Sequence, residues 1–341
     1  MTLDFGLDTF GDVTWGATGR LLSQPEVLRN VIDEAVLADA VGVDVIGLGE
    51  HHRDDFAISS PEVMLAVIGA RTTRIRLGTA VTVLGSDDPV RLFQRFSTLD
   101  AISGGRAEVT LGRGSFTESF PLFGHDLSDY ATLFQEKLDL FARLVRDPEV
   151  TWSGTTRAPL VRQRVWPPLG PEGLRVWIGV GGSPESVVRA VRFRMPMILA
   201  IIGGPARRFL PFVELYRRAS EQAGLGAMPL GVHSPGHIAE TDEQAQAEAF
   251  PAYKALHDRL GAERGWPSLS REDFLREITH GSMYVGSPST VARKIADTAG
   301  ALGLARFQLK YSMGPLSHEA LMRSVELYGT RVIPMVRDLL G

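Results

Sequence analysis

Cysteine is absent from all 341 residues. That excludes disulfides, cysteine-held iron–sulfur clusters and a thiol nucleophile, and it fits a reducing compartment. No stretch gathers Lys and Arg into a basic patch, and the net charge is −4. Extended nucleic-acid binding needs clustered cations to neutralise phosphates, so no nucleic-acid partner is expected. No apolar run approaches the ~20 residues of a membrane helix. The start, MTLDFGLDTFGD, carries acids where a secretory signal carries a basic segment. A cytoplasmic protein without a membrane partner is therefore expected. No G-x-G-x-x-G follows the first strand-like run, so the dinucleotide fingerprint is missing. No H-x-H pair stands at a strand end either, which weakens a metal site.

What is present is an alternation of apolar runs and helical patterns, in a chain that is 44% hydrophobic. Strand-like runs fall at residues 3–10, 43–48, 75–84, 106–112, 174–180, 195–202, within 228–241, and at 305–312. Helices are predicted between them. Ser23-Gln24-Pro25-Glu26 has capping-box spacing and opens the first of these. Ser287-Pro288 opens a late one, and a last helix runs from about Ser317 to Leu339. Residues 150–174 read as an insertion containing a hairpin. The strands look apolar on both faces, as in a parallel sheet covered by helices. Eight such units predict an α/β fold, a (β/α)8 TIM barrel with insertions, with residues 1–341 forming one domain. An open doubly wound sheet is the alternative.

In such a barrel, chemistry gathers at the C-terminal ends of the strands. GEHHRDDF (49–56) stands at one of them. Neighbouring residues on an extended chain point to opposite sides, so His51 and His52 chelate one ion poorly, and no metal is expected. Two readings remain: a loop with one packed and one solvated histidine, or an imidazole in the barrel mouth working with Glu50. Asp54 and Asp55 read as solvated loop. GRGSF (112–116) follows the fourth strand. Its glycines can aim successive N–H groups into a concavity, and Arg113 supplies a fork suited to phosphate. A plain turn with an exposed arginine fits equally. GGSPES (181–186) leads into a helix whose free N–H groups favour an anion, with Ser183 and Ser186 as further donors. The small residues of Gly78-Thr79-Ala80-Val81 would let a flat ring lie against the backbone.

Taken in order, GEHH, LGTAVTVLGSDDPVR (77–91), LDAISGGRAEVTLGRGSF (99–116), PLFGHD (121–126), VGGSPESV (180–187) and YVGSPSTVARKI (284–295) resemble the bacterial luciferase family of flavin-dependent monooxygenases. The resemblance spans roughly residues 1–320 and is weakest between about 240 and 280. It implies reduced FMN delivered by a separate, transient flavin reductase, with a deazaflavin in one branch of the family. It implies catalytic roles for His51, beside the flavin, and Glu50. It also implies a non-proline cis peptide at Ala80–Val81 beneath the ring, with Thr79, Ala80 and Val81 against the flavin. The phosphate falls to Arg113 with Gly114 and to Gly181, Gly182, Ser183 and Ser186. Phe10, Phe56 and Phe116 would wall an apolar substrate pocket. A homodimer is expected from the family's habit. Gly112 stands where luciferase itself has a cysteine, which argues against light emission and a long-chain aldehyde. The rival readings are a flavin-binding protein without oxygenase activity and a metal-dependent hydrolase on the same barrel.

Overall fold

A computed structural model describes residues 3–16 and 18–341. Its strands are β1 (Asp4–Thr9), β2 (Val45–Leu48), β3 (Arg76–Thr79), β4 (Thr82–Val83), β5 (Glu108–Gly112), β6 (Val150–Trp152), β7 (Leu160–Gln163), β8 (Arg175–Val180), β9 (Met197–Ala200), β10 (Leu230–Ile238), β11 (Tyr284–Gly286) and β12 (Arg306–Lys310). The helices are α1 (Gln24–Ala40), α2 (Pro61–Arg71), α3 (Pro89–Ser103), α4 (Ser119–Leu122), α5 (Tyr130–Arg146), α6 (Pro184–Arg192), α7 (Leu210–Gln222), α8 (Asp242–Arg264), α9 (Arg271–Thr279), α10 (Pro288–Leu302), α11 (His318–Leu327) and α12 (Ile333–Leu340).

The strand order is β3-β2-β1-β12-β10-β9-β8-β5-β4, and every pairing along it is parallel. β3 and β4 are two pieces of one predicted strand, separated by a cis peptide at Ala80–Val81. A parallel bridge between Leu77 and Ala107 joins β3 to β5 as well. The sheet therefore closes on itself as an eight-stranded (β/α)8 barrel. β6 and β7 form the expected antiparallel hairpin in the insertion after α5. The stretch near Trp266, unreadable in the sequence, separates α8 from α9. β11, which the sequence reading missed, adds in parallel to the end of β10.

Local signals account for the helix starts. Ser23 and Glu26 complete a capping box, with Glu26 Oε2 accepting from the Ser23 N–H at 2.7 Å. Asp88 caps α3 by accepting from the N–H groups of Val90 and Arg91. Thr241, Ser270 and Ser317 do the same for α8, α9 and α11.

One sequence expectation needs correcting. The strands are apolar toward the helices, but the lumen is largely polar. On β12 the buried Phe307 and Leu309 alternate with Arg306, Gln308 and Lys310. Arg306 reaches across the barrel to Glu108 on β5, with Nη2 donating to Oε2 at 3.0 Å; both side chains are 1% exposed. Trp177 packs against that guanidinium at 4.3 Å. Above this pair, Gln308 fills the space left by Gly6, where a Cβ would stand 2.6 Å from its Cγ. Lys310 forms the next layer, at the mouth.

Candidate active site

A cavity of about 350 Å³ opens at the C-terminal ends of the strands, within the usual size of small-molecule sites. Phe10 follows β1, Glu50 and His51 follow β2, Ala80 and Val81 interrupt the third barrel strand, and Arg113 and Gly114 follow β5; all line it. So do Gly181 and Ser186 beyond β8, His233 on β10 and Lys310 on β12. Thr79, Gly182 and Ser183 are not part of this wall. Thr79 is buried against the neighbouring strand, its hydroxyl accepting from the Thr110 N–H at 3.2 Å. Ser183 is the N-cap of α6. A larger cleft of about 900 Å³ lies at the opposite end of the barrel, around Asp4, Arg76 and Arg306. It lies away from the strand ends that carry the motifs.

His51 is packed among three aromatic rings, with centroids 4.5 Å from Phe10, 4.6 Å from Phe56 and 5.2 Å from Phe116. Burial, reinforced by the ammonium of Lys310, holds its pKa down to about 3. The imidazole is therefore neutral throughout the physiological range. Glu50 does not reach it. One Glu50 oxygen accepts from the Val83 N–H at 2.8 Å, and the other lies 2.9 Å from His52 Nε2. The expected partnership of Glu50 and His51 is thus a partnership of Glu50 and His52, which ties the motif to β4. Only Phe10 of the three predicted aromatics lines the cavity itself; Phe56 and Phe116 stand against His51.

Asp55 is also not the solvated residue the sequence implied. Its side chain is 10% exposed and accepts from Arg53 Nε at 3.0 Å. Arg53 in addition donates to Glu118 at 2.6 Å and to Glu263 at 2.6 Å, and it lies 4.8 Å from the Phe116 ring. Arg264 lies 5.1 Å from the same ring and donates to the Ser115 carbonyl at 3.2 Å. The loop after β5 is thereby fastened to both the GEHHRDDF segment and the end of α8. Asp54 is exposed and pairs with Arg259.

The second cluster is cationic. No carboxylate stands within ion-pair distance of Arg113 or Arg189 among the described residues, and the Arg113 charge helps lower the pKa of Arg189, after burial. Gly114, at φ +74°, makes the turn that follows Arg113, a conformation side chains rarely adopt. Tyr130 lies 5.4 Å from the Arg113 guanidinium and donates to the Gly114 carbonyl at 3.2 Å. Ser186 Oγ accepts from Ser183 Oγ at 2.8 Å and from Arg189 Nη1 at 3.2 Å. Its own proton is left to donate into the cavity. A Cβ at Gly181 would meet nothing within 4 Å, so that backbone stays open to a ligand. Sequence reading found Arg113 and Ser186 but missed Arg189. The available signal was its i+3 spacing from Ser186, which places both on one helix face.

The far wall was missed as well. Lys310 Nζ donates to both Asp12 oxygens at 3.1 Å and sits 4.4 Å from the Phe10 ring. His233 Nδ1 lies 2.9 Å from Asp8 Oδ2, and its ring stacks at 10° to Phe10. The strand reading around 228–241 contained His233 without singling it out.

The sequence profile described as luciferase-like monooxygenase matches residues 9–305. The 4-hydroxyprotoasukamycin monooxygenase of Streptomyces nodosus subsp. asukaensis is 26% identical, over 87% of this chain and 83% of its own length. The structure of monooxygenase RslO1 from Streptomyces bottropensis superposes with a TM-score of 0.85 at 24% identity, covering 97% of this chain and 99% of that one. The oxygenating constituent of 3,6-diketocamphane monooxygenase from Pseudomonas putida, solved with FMN, gives 0.79 at 18% identity, covering 98% and 99%. Structures with this fold also include enzymes dependent on coenzyme F420.

Proposed function

The chain belongs to the luciferase-like monooxygenase family, and from that premise and the chemistry of its cavity we propose that it is a flavin-dependent monooxygenase using reduced FMN and O2 on a small organic substrate. The observation that carries the cofactor assignment is Arg113 on the cavity wall with Arg189 behind it, bonded to Ser186 Oγ, neither guanidinium within ion-pair distance of a carboxylate among the described residues, beside an open Gly181. Guanidiniums that no carboxylate engages directly suit a phosphate, whose oxygens they can bond in pairs. These residues fit the phosphate of a flavin mononucleotide.

Reduced flavin, when bound, supplies the electrons that activate oxygen. The protein's own part is binding, orientation and exclusion of water. Arg113 and Ser186 anchor the phosphate, and Arg189 holds the Ser186 hydroxyl in place and adds its charge behind it. Ala80 and Val81 present a small, flat surface for the ring. Glu50 takes up the Val83 N–H and so fixes the backbone beside that surface. His51, kept neutral by burial, offers an uncharged ring nitrogen, and the aromatic rings around it keep water out. Substrate enters on the Phe10 side. A reductase that delivers reduced FMN, and a homodimer, complete this reading.

Flavin fluorescence titration tests it. FMN is expected to bind at least tenfold more tightly than riboflavin, which lacks the phosphate. Arg113→Ala removes that preference, since a charged hydrogen bond contributes about 1.5–3 kcal/mol. Equal binding of FMN and riboflavin overturns the assignment. Tight binding of F420 with weak FMN moves it to a deazaflavin-dependent oxidoreductase, the second reading that solved structures of this fold support. Turnover of reduced FMN without oxidation of any organic compound would leave a flavin-binding protein only.

A further inference from the structure

His51 is enclosed by aromatic rings beside the Lys310 ammonium, surroundings that disfavour its protonated form and make it a poor proton acceptor. Asp8 lies in the lumen on β1 and is 0% exposed. Its Oδ2 is bonded to His233 Nδ1 at 2.9 Å, and its Oδ1 has no hydrogen-bond partner. A buried carboxylate with one bare oxygen is costly, and structures retain such groups where they do something. A carboxylate only accepts, so the hydrogen in this bond belongs to Nδ1. The ring is thereby fixed with Nε2 as its bare nitrogen, and His233 lines the cavity. The other titratable groups on this side are Lys310 and Asp12, paired with each other at 3.1 Å, and His51 beyond Phe10. Among the described residues, His233 is the one imidazole of the wall with a carboxylate behind it, since the partner of Glu50 is His52.

We propose that His233, oriented by Asp8, is the base that takes an O–H proton from the substrate, and that the substrate is a phenol or an enol. An alkane or an aldehyde presents no such proton, and this dyad would have nothing to do in its oxidation. In the step, the substrate O–H bond breaks, its electron pair stays on oxygen, and the proton forms an N–H bond at Nε2. The imidazolium keeps its Nδ1–H on Asp8. The resulting phenolate or enolate carbon is electron-rich, which suits attack on oxygen activated by the flavin. Phe10, stacked at 10° to the His233 ring, offers a planar surface for an aromatic substrate. This proposal rests on the monooxygenase reading of the same cavity.

Two measurements test it. Long-range nitrogen–proton NMR of histidine-labelled wild-type protein reads the tautomer of each ring. His233 is expected as Nδ1–H and to lose that fixed form in Asp8→Asn; an Nε2–H ring in the wild type overturns the proposal. The second measurement is titration with 4-nitrophenol, whose anion is coloured. Binding to the wild type should raise the probe's ionisation constant about tenfold, and His233→Gln should abolish the rise while His280→Gln, on the exposed surface away from the cavity, preserves it. An equal rise in His233→Gln, or no saturable colour change in the wild type, overturns it. The FMN-over-riboflavin preference of the wild type reports the cofactor separately. Loss of the colour change with that preference intact removes only the base; loss of the preference alone removes only the flavin.

Discussion

Burying His51 without its proton makes the fold sensitive to acid by a predictable amount. The unfolded chain protonates this ring near 6.5, whereas the folded chain resists until about 3. Between those values the unfolded state binds more protons, so stability falls as pH falls. Each unit is about 1.36 kcal/mol, and pH 5 lies 1.5 units below the unfolded value, so the loss there is about 2 kcal/mol. Above pH 7 the ring is neutral in both states and adds no pH dependence. The perturbation is His51→Gln, and the assay is denaturant unfolding of both proteins at pH 8 and pH 5. Other groups also titrate in this window. His125 is held low chiefly by burial, and His318 is raised chiefly by its bond to Glu34. They contribute to both proteins alike and cancel in the difference of differences. Wild type should lose about 2 kcal/mol more than the variant between the two pH values. Losses that agree within about 0.5 kcal/mol would show that the ring is protonated in the fold, and the neutral role given to His51 would fall.

Arg189→Ala should weaken FMN binding about tenfold while leaving riboflavin nearly unchanged, measured by fluorescence quenching. Glu108→Gln leaves the buried Arg306 to the longer contact with Asp4, at 3.4 Å, and should cost about 3 kcal/mol in denaturant unfolding, whereas the paired replacement Glu108→Leu with Arg306→Met should cost less. Gly112→Ala places a Cβ 2.4 Å from Val81 Cγ2. It should cost about 1–3 kcal/mol by the same assay, with much of the loss recovered when Val81→Ala is added.

The barrel was legible because each strand carries an apolar face toward the helices, and helix starts carry caps and prolines that act within four residues. Arg113 and His51 were legible because they sit in loops directly after strands, and Ser186 because it opens the helix that follows one, where the chain's direction shows where side chains gather. Asp8, His233 and Lys310 were hidden because they are strand residues whose partners lie 225 and 298 positions away. A period-two reading of RFQLK and LDFGLD would have flagged the inward row of polar residues. The role of Asp55 was illegible for a similar reason. Its neighbours Glu118 and Glu263 are brought to Arg53 only by the closed barrel and the length of α8.

The polar lumen has a consequence for how the chain finds its fold. The closing strand β12 is the last of the barrel to be made, and it must seat between β1 and β10 in one register. A slip by one residue would turn Arg306, Gln308 and Lys310 toward the helices and drive Phe307 and Leu309 into the lumen. Glu108 and Asp12 would then be left facing side chains that cannot answer them. Closure in the wrong register is thus penalised at several levels of the barrel at once. The inward charges act as a proofreading device, rejecting mispaired barrels during assembly in the same molecule whose lumen they fill once it is complete.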